Sequence, residues 1–268
     1  MALRVSIGQY YSVDSPIHRL DPRVKLVAAL AYMVGCLFVH GPASLAIATV
    51  AAVLAVRAAR VPLGRLVSQV KPVLFFLIVT GLFNLFAVGT GPLLAQVGPV
   101  AIHAGGLSAA VLYTMRFFLL LLVGGLLMLT TTSTALCDAF EALCRPLERL
   151  GAPVGQAALV LSIALRFVPA LSREVDNLVV AQTARGANLE GKGPLAFARA
   201  CLPLVVPLFA SSLRHAEHLG RALDARCYTG GAGRTHYREL RLEPRRDLPF
   251  CAATALYLVL LGAARLLG

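Results

Sequence analysis

The sequence predicts an all-α membrane protein, with about five transmembrane helices and a cytoplasmic domain of about three long helices. Of its 268 residues, 58% are hydrophobic and only 14% are charged, and the mean hydropathy is +0.76. Such a composition is typical of membrane proteins. Several apolar stretches approach the roughly 20 residues that a helix needs to cross a hydrocarbon core of about 30 Å.

The charge balance limits the partners that the chain can have. The net charge is +12. In a membrane protein, we expect such a charge to come from basic loops that set the orientation and that contact anionic membrane lipids or an acidic partner. We do not expect the chain to bind nucleic acid. The six cysteines contain no CxxC pair, and Cys137 and Cys144 have no nearby histidine that would complete a zinc site. We therefore expect no metal and no cofactor.

Residues 1–25 are rich in polar residues, so we expect them to form an interfacial segment and not a signal peptide. Asp21-Pro22 is a typical helix start, with the aspartate as N-cap and the proline in the first turn. We predict a first span over Val24–Val39 and a second over Ala43–Val56, joined by a tight turn at His40-Gly41-Pro42. Both are short, so tilt or local thinning of the bilayer is expected.

The next connection is basic and contains no acidic residue; it carries Arg57, Arg60, Arg65 and Lys71. By the positive-inside rule, this loop and the N-terminus are cytoplasmic. Pro72–Val88 is the predicted third span, the Gly- and Pro-rich stretch Gly89–Gly106 faces outward, and Leu107–Thr130 is the fourth span. Leu248–Leu267 is the last span. The predicted segments are therefore 1–25, 26–131, 132–247 and 248–268.

One charged residue lies inside the fourth span. An arginine at the depth of Arg116 is costly in a membrane and usually faces protein. It either snorkels or pairs with a carbonyl group, or it contacts another subunit. Asn84 in the third span is a candidate partner.

The segment 132–247 contains eleven of the thirteen acidic residues of the chain, as expected for a cytoplasmic domain. Ser133 or Thr134 is the predicted N-cap of an amphipathic helix over Ala135–Leu150, and Pro146 is expected to kink it.

Two long helices follow, over Val154–Arg185 and about Leu195–Arg226. Each ends in the pattern A-x-x-A-R, the two copies lie forty-one positions apart, and glycines follow both. Prolines at positions 169, 203 and 207 are expected to bend them. An arginine before glycine is ordinary C-capping, but a duplicated arginine tip also suits docking onto carboxylates or carbonyls of a partner.

Patterns for other chemistry are weak. Residues 186–193 match the beginning of a nucleotide-binding P-loop, but Gly193 replaces the required Ser or Thr and the stretch follows a helix rather than a strand. His215 and His218 share a helix face without a further ligand, so we interpret them as solvated or otherwise satisfied side chains. The sequence therefore predicts no enzyme activity.

The chain resembles the T component, the transmembrane coupling subunit, of energy-coupling-factor (ECF) transporters. The resemblance rests on the opening Gly8-Gln9-Tyr10-Tyr11 with Asp14–Lys25, on four spans followed by a long helical insert and a final span, and on the paired A-R-G motifs. It covers nearly the whole chain. It implies a transporter for a vitamin or a metal ion in a bacterial or archaeal cytoplasmic membrane.

The resemblance also implies partners and a site. Two ABC-type ATPase subunits would dock on the arginine tips, and one substrate-binding membrane (S) subunit would move in response. The docking residues carried over are Ala184, Arg185, Gly186, Ala225, Arg226 and Cys227. Cys227 departs from the family glycine, which puts the geometry of the second cap in doubt. The alternatives are a stand-alone secondary transporter or channel, and a membrane-embedded enzyme acting on lipid.

Overall fold

The computed structural model describes residues 10–11, 13–97, 100–187, 194–229 and 242–267. Within them the chain is almost entirely helical, so the all-α fold class is confirmed, and one β-hairpin is added to it. The helices are α1 (Pro22–Leu37), α2 (Pro42–Ala59), α3 (Leu63–Val70), α4 (Leu74–Ala87), α5 (Ala104–Thr130), α6 (Ser133–Cys144), α7 (Val154–Ala184), α8 (Pro194–Asp224) and α9 (Pro244–Leu267). The strands are β1 (Leu93–Val97) and β2 (Val100–His103).

The chain divides into two compact units. The bundle unit comprises the described residues of Gln9–Ala142 and Glu239–Gly268, and the long-helix unit comprises those of Leu143–Arg238. The bundle unit holds α1–α5, the hairpin, α9 and α6 as far as Ala142, and the long-helix unit holds α7 and α8. The four predicted segments, which refer to the membrane plane, stay a prediction.

The bundle unit is built around α5, which packs against α1, α2, α3 and α4, while α9 packs against α1 and α2. Small side chains such as those of Ala48 and Ala52 are buried where the helices meet. Small residues allow helices in a membrane to approach closely. Gly106 shows the same effect, because a Cβ atom there would lie 2.5 Å from the Leu85 carbonyl oxygen of α4.

Five of the described helices are long and apolar enough to cross a membrane, as predicted, but they are not the five expected. The set contains α2, α5, α9 and a continuous stretch Gly64–Ala87. Helix α1, with 16 residues, is not in this set, whereas α7 is, although its charged second half had argued against a span. Large apolar side chains on α4, such as Phe75 and Phe83, are exposed in the isolated chain, as expected of a surface that contacts lipid.

The connection after α2 is the largest error in the sequence prediction. Instead of a loop, residues Leu63–Val70 form the amphipathic helix α3, and a 3-10 turn over Lys71–Val73 joins it to α4. The buried face of α3 carries Leu66 and Val70. The basic side chains of this segment therefore project from a packed helix.

The expected outward loop Gly89–Gly106 contains the hairpin. Strands β1 and β2 pair antiparallel with an irregularity between Leu93 and Ala95. The hairpin contacts α4 and α5, so it closes one end of the α4–α5 pair rather than forming an unstructured connection.

In the amphipathic segment after α5, the predicted N-cap is wrong by one residue. The Thr132 hydroxyl accepts a hydrogen bond from the Ala135 N–H (3.3 Å), and α6 begins at Ser133. The predicted break near Pro146 is confirmed, because α6 ends at Cys144 and a 3-10 helix follows over Arg145–Leu150. In the long-helix unit, α7 and α8 have 31 residues each and pack against each other.

Candidate docking site at two arginine caps

The C-terminus of α7 is closed by a complete Schellman motif, in which two backbone N–H groups bond back into the last turn. The Ala187 N–H donates to the Gln182 carbonyl (2.9 Å) and the Gly186 N–H donates to the Thr183 carbonyl (2.9 Å). Gly186 takes the left-handed conformation with φ +87°. Arg185 is the C-cap residue itself.

The same motif closes α8, forty-one positions later, bond for bond. The Tyr228 N–H donates to the Leu223 carbonyl (3.0 Å) and the Cys227 N–H donates to the Asp224 carbonyl (2.9 Å). Cys227 takes the left-handed conformation with φ +53°. The doubt raised by the missing glycine is therefore resolved: the second cap keeps its geometry, at the cost of a conformation that L-residues disfavour by about 1–2 kcal/mol.

All six residues of the two predicted tips are exposed. Among the described residues, neither Arg185 nor Arg226 makes an ion pair or a side-chain hydrogen bond. Each guanidinium therefore offers its five donors at the end of a helix, where the helix dipole favours a cation. Such a group can bind a carboxylate or the exposed carbonyls at the end of a partner helix.

The two arginine tips lie at different distances from a ring contact between α7 and α8. The Phe167 ring packs edge-on against the His215 ring, with centroids 6.0 Å apart. At about 1.5 Å per residue, Arg185 lies about 27 Å of helix beyond this contact and Arg226 about 16 Å. Pro169 interrupts the longer arm near its beginning. Arg185 therefore lies at the end of a longer stretch of helix than Arg226, measured from this ring contact.

Arg116 has a partner within the bundle unit. Its guanidinium donates to the Val39 carbonyl and lies 5.3 Å from the Tyr113 ring centroid. Asn84, the candidate partner, instead donates to the Thr80 carbonyl in its own helix (2.8 Å), so that prediction was wrong. Of the two interpretations of Arg116, pairing with a carbonyl is the one observed.

A buried polar cluster at one end of the bundle unit was missed by the sequence reasoning. Its members are Asp21, Lys25, Thr130 and Asp247, each 3–7% exposed. The Lys25 ammonium donates to the carbonyls of His18 (3.0 Å) and Thr130 (3.2 Å). The Asp247 carboxylate accepts from the N–H groups of Asp21 (3.2 Å) and Glu243 (2.8 Å). The cluster thus joins the N-terminal segment to α1, α5 and α9.

Around this cluster, the N-terminal segment is held by local bonds. The predicted cap is confirmed, since the Asp21 carboxylate accepts from the Arg23 N–H (2.8 Å). His18 Nδ1 lies 2.7 Å from the Ser15 hydroxyl. Burial, and then the positive charge of Lys25, lower the pKa of His18 below 6.5. The surroundings of His18 therefore favour its neutral form.

Comparison with known proteins decides the family. The sequence profile of the CbiQ family, described as cobalt transport protein, matches residues 14–237. The chain belongs to this family.

Relatives of this CbiQ-family chain include energy-coupling factor transporter transmembrane proteins. The one from Streptococcus thermophilus is 36% identical over 257 residues, covering 96% of this chain and 97% of its own length. The one from Heliobacterium modesticaldum is 35% identical over 236 residues, with 88% of each chain covered. A putative ABC transporter ATP-binding protein from Bifidobacterium longum is 43% identical over 244 residues, but this chain spans only 31% of its length.

These matches establish the coarse identity of the CbiQ-family chain. It is a membrane protein and a transmembrane component of an ECF transporter. The resemblance on which the sequence prediction rested is confirmed.

The described part of the chain gives no support for a metal site. The described residues contain no group of three His, Cys, Asp or Glu side chains that could hold a metal ion. His215 Nδ1 lies 2.9 Å from the Ser211 carbonyl. Six of the eight residues of the P-loop-like stretch, 188–193, lie outside the described residues.

Proposed function

We propose that this chain is the coupling subunit of its transporter, carrying ATP-driven motion of two ABC-type ATPase subunits to a substrate-binding membrane subunit. One observation carries the proposal: two helices of equal length end in the same backbone cap, and each presents a guanidinium that has no ion-pair partner among the described residues. Two equivalent tips suit two equivalent partners. The transported substrate is a vitamin or a metal ion, bound by the other membrane subunit.

The geometry supports a lever mechanism. When the two ATPases close on ATP, grooves that hold Arg185 and Arg226 move together and pull the ends of α7 and α8. An α-helix transmits such a pull along its axis, and bends localise at its prolines. Pro169 lies between the tip of α7 and the apolar beginning of that helix, and Pro203 and Pro207 lie within the apolar stretch 202–209 of α8. The displacement therefore reaches the apolar parts that would contact the substrate-binding subunit.

Two further observations support these partners. The Bifidobacterium longum relative carries, within a protein described as ATP-binding, a segment that is 43% identical to this chain. By the positive-inside rule, the basic residues Arg57, Arg60 and Arg65 favour a cytoplasmic position for their end of the bundle unit, and the proposal puts the two arginine tips in the cytoplasm as well. ATPases would meet the tips there.

The test is co-purification of the ATPase subunits with full-length variants Arg185→Glu, Arg226→Glu and the double variant, with membrane insertion measured separately. A charge-assisted hydrogen bond contributes about 1.5–3 kcal/mol. Each single variant should therefore weaken ATPase binding by about tenfold or more, and the double variant should abolish coupled uptake.

Matched controls are Arg173→Glu on α7 and Arg214→Glu on α8, which make the same charge change on exposed positions away from the tips. They should retain both ATPases. Full ATPase retention and uptake in the double variant would reduce both arginines to helix caps. Uptake without any ATPase would instead support the stand-alone transporter.

A further inference from the structure

We propose that the basic end of the bundle unit holds one anionic phospholipid, with its phosphate in a cup of arginines and an acyl chain in an adjoining apolar slot. The cup and the slot are separate cavities that share four wall residues: Ile17, Ala58, Phe250 and Ala253. A cavity that carries three arginines, next to one that is almost entirely apolar, matches the charged head and the apolar tail of a phospholipid.

The cup has a volume of about 580 Å³ and is lined by Arg19, Arg60 and Arg246. Arg19 pairs with Asp14, and Arg246 pairs with Glu243 (2.9 Å). Arg60 makes no ion pair within the described part of the chain. Three guanidinium groups thus face two carboxylates, so the cup carries an excess positive charge and attracts an anion.

The conformation of Arg60 is a second sign of a function there. It ends α2 in the left-handed conformation, with φ 54°. Glycine is the usual residue at such a position, and a strained non-glycine residue points to a functional side chain. The strained residue is therefore the same one whose guanidinium lines the cup.

The slot has a volume of about 290 Å³ and lies between α1, α2, α5 and α9. Its walls are almost entirely apolar, with small residues such as Ala51 and Ala55 next to Leu126. The polar exceptions include Lys25 and Thr130, which bond to each other within the buried polar cluster. An acyl chain can therefore enter without leaving a polar group unpaired.

The position favours a lipid over a soluble ligand. The cup lies where α2 ends and α9 begins, and both are long and apolar enough to cross a membrane, so their ends are expected to reach the headgroup region. Each arginine at a membrane surface raises the affinity for anionic lipids by about fivefold. A free phosphate ion would use the cup alone and leave the slot without a role.

The experiment is native mass spectrometry of the full-length protein in detergent, titrated with phosphatidylglycerol, with phosphatidylcholine, and with tail-less glycerol phosphate. One phosphatidylglycerol should be retained in preference to phosphatidylcholine. Arg60→Gly removes the guanidinium but suits the left-handed backbone, so it should fold and bind about fivefold less phosphatidylglycerol. The matched control is Arg57→Gln, which removes an exposed charge from the same helix end outside the cup.

A slot variant separates a lipid from a phosphate ion. Ala253→Phe fills the shared wall and should weaken phosphatidylglycerol binding, while Ala252→Phe, next to it but outside both cavities, should not. Two outcomes would overturn the proposal: equal binding of phosphatidylglycerol and phosphatidylcholine, or glycerol phosphate binding as tightly as phosphatidylglycerol with Ala253→Phe silent. The second outcome would show a free-anion site.

Discussion

Lys25 provides the sharpest test of how the bundle unit is held together. We expect Lys25→Met to destabilise this unit although it keeps the apolar stem and raises hydrophobicity. The side chain is 5% exposed, and its ammonium donates to the His18 and Thr130 carbonyls at 3.0 and 3.2 Å. Methionine leaves both carbonyls unpaired and removes the cation that faces Asp21 and Asp247.

The magnitude follows from these contacts. Hydrogen bonds to charged groups contribute about 1.5–3 kcal/mol each, and loss of one partner in a buried charge network costs about 3–5 kcal/mol. Relief of the burial cost of the ammonium offsets part of this. We therefore expect a loss of about 3 kcal/mol, which for a chain of this size lowers the unfolding midpoint by about 6–12 °C.

The assay uses Cys36, which is 0% exposed in the bundle core. With the other five cysteines changed to serine, a thiol-reactive dye reports the unfolding of this unit alone. Lys71→Met is the control, because Lys71 is exposed in the 3-10 turn before α4. A midpoint for Lys25→Met within about 1 °C of that control would refute the structural role of the cluster.

Two predictions concern single residues. Because the pKa of His18 in the folded chain lies below 6.5, the unfolded chain binds the proton more readily, so bundle stability should fall as pH drops through about 6.5. The same Cys36 assay between pH 8 and 5 measures this, and an unchanged pH dependence in His18→Gln would contradict it. Cys227→Gly should stabilise the end of α8 by up to about 1 kcal/mol, because glycine adopts the left-handed conformation without strain. Slower hydrogen exchange at the Tyr228 amide would show the gain, and faster exchange would count against it.

The sequence predicted what is local in the chain. The caps of α7 and α8 involve bonds between residues at most five positions apart, and the Asp21 cap spans two. Helix α3 was also within reach, since Leu63, Leu66, Val67 and Val70 follow the i, i+3, i+4, i+7 pattern of an amphipathic helix. The interleaved Arg65 and Lys71 led to a basic loop instead.

The buried polar cluster could not be predicted in this way. Lys25 binds a carbonyl 105 residues away, and Asp21 binds a carboxylate 226 residues away. In the sequence both residues belong to a short run of charges before an apolar stretch, which usually indicates a solvated surface. Such a run is buried only because the ends of α5 and α9 pack against it. A local sequence pattern does not show which helix ends pack together.

The structure also weakens the capping explanation of the two arginines. Both Schellman motifs are made by backbone groups alone, so neither guanidinium is needed to close its helix. What remains for the side chains is their interaction with the helix dipole, worth about 0.3–1 kcal/mol at an exposed end. A lysine would make the same contribution. Interaction with the helix dipole also gives no reason for two tips or for identical cap geometry. Two guanidinium groups that lack an ion-pair partner among the described residues, and that stand on the same cap although Cys227 makes one cap strained, fit the proposed docking on two ATPases better than they fit capping.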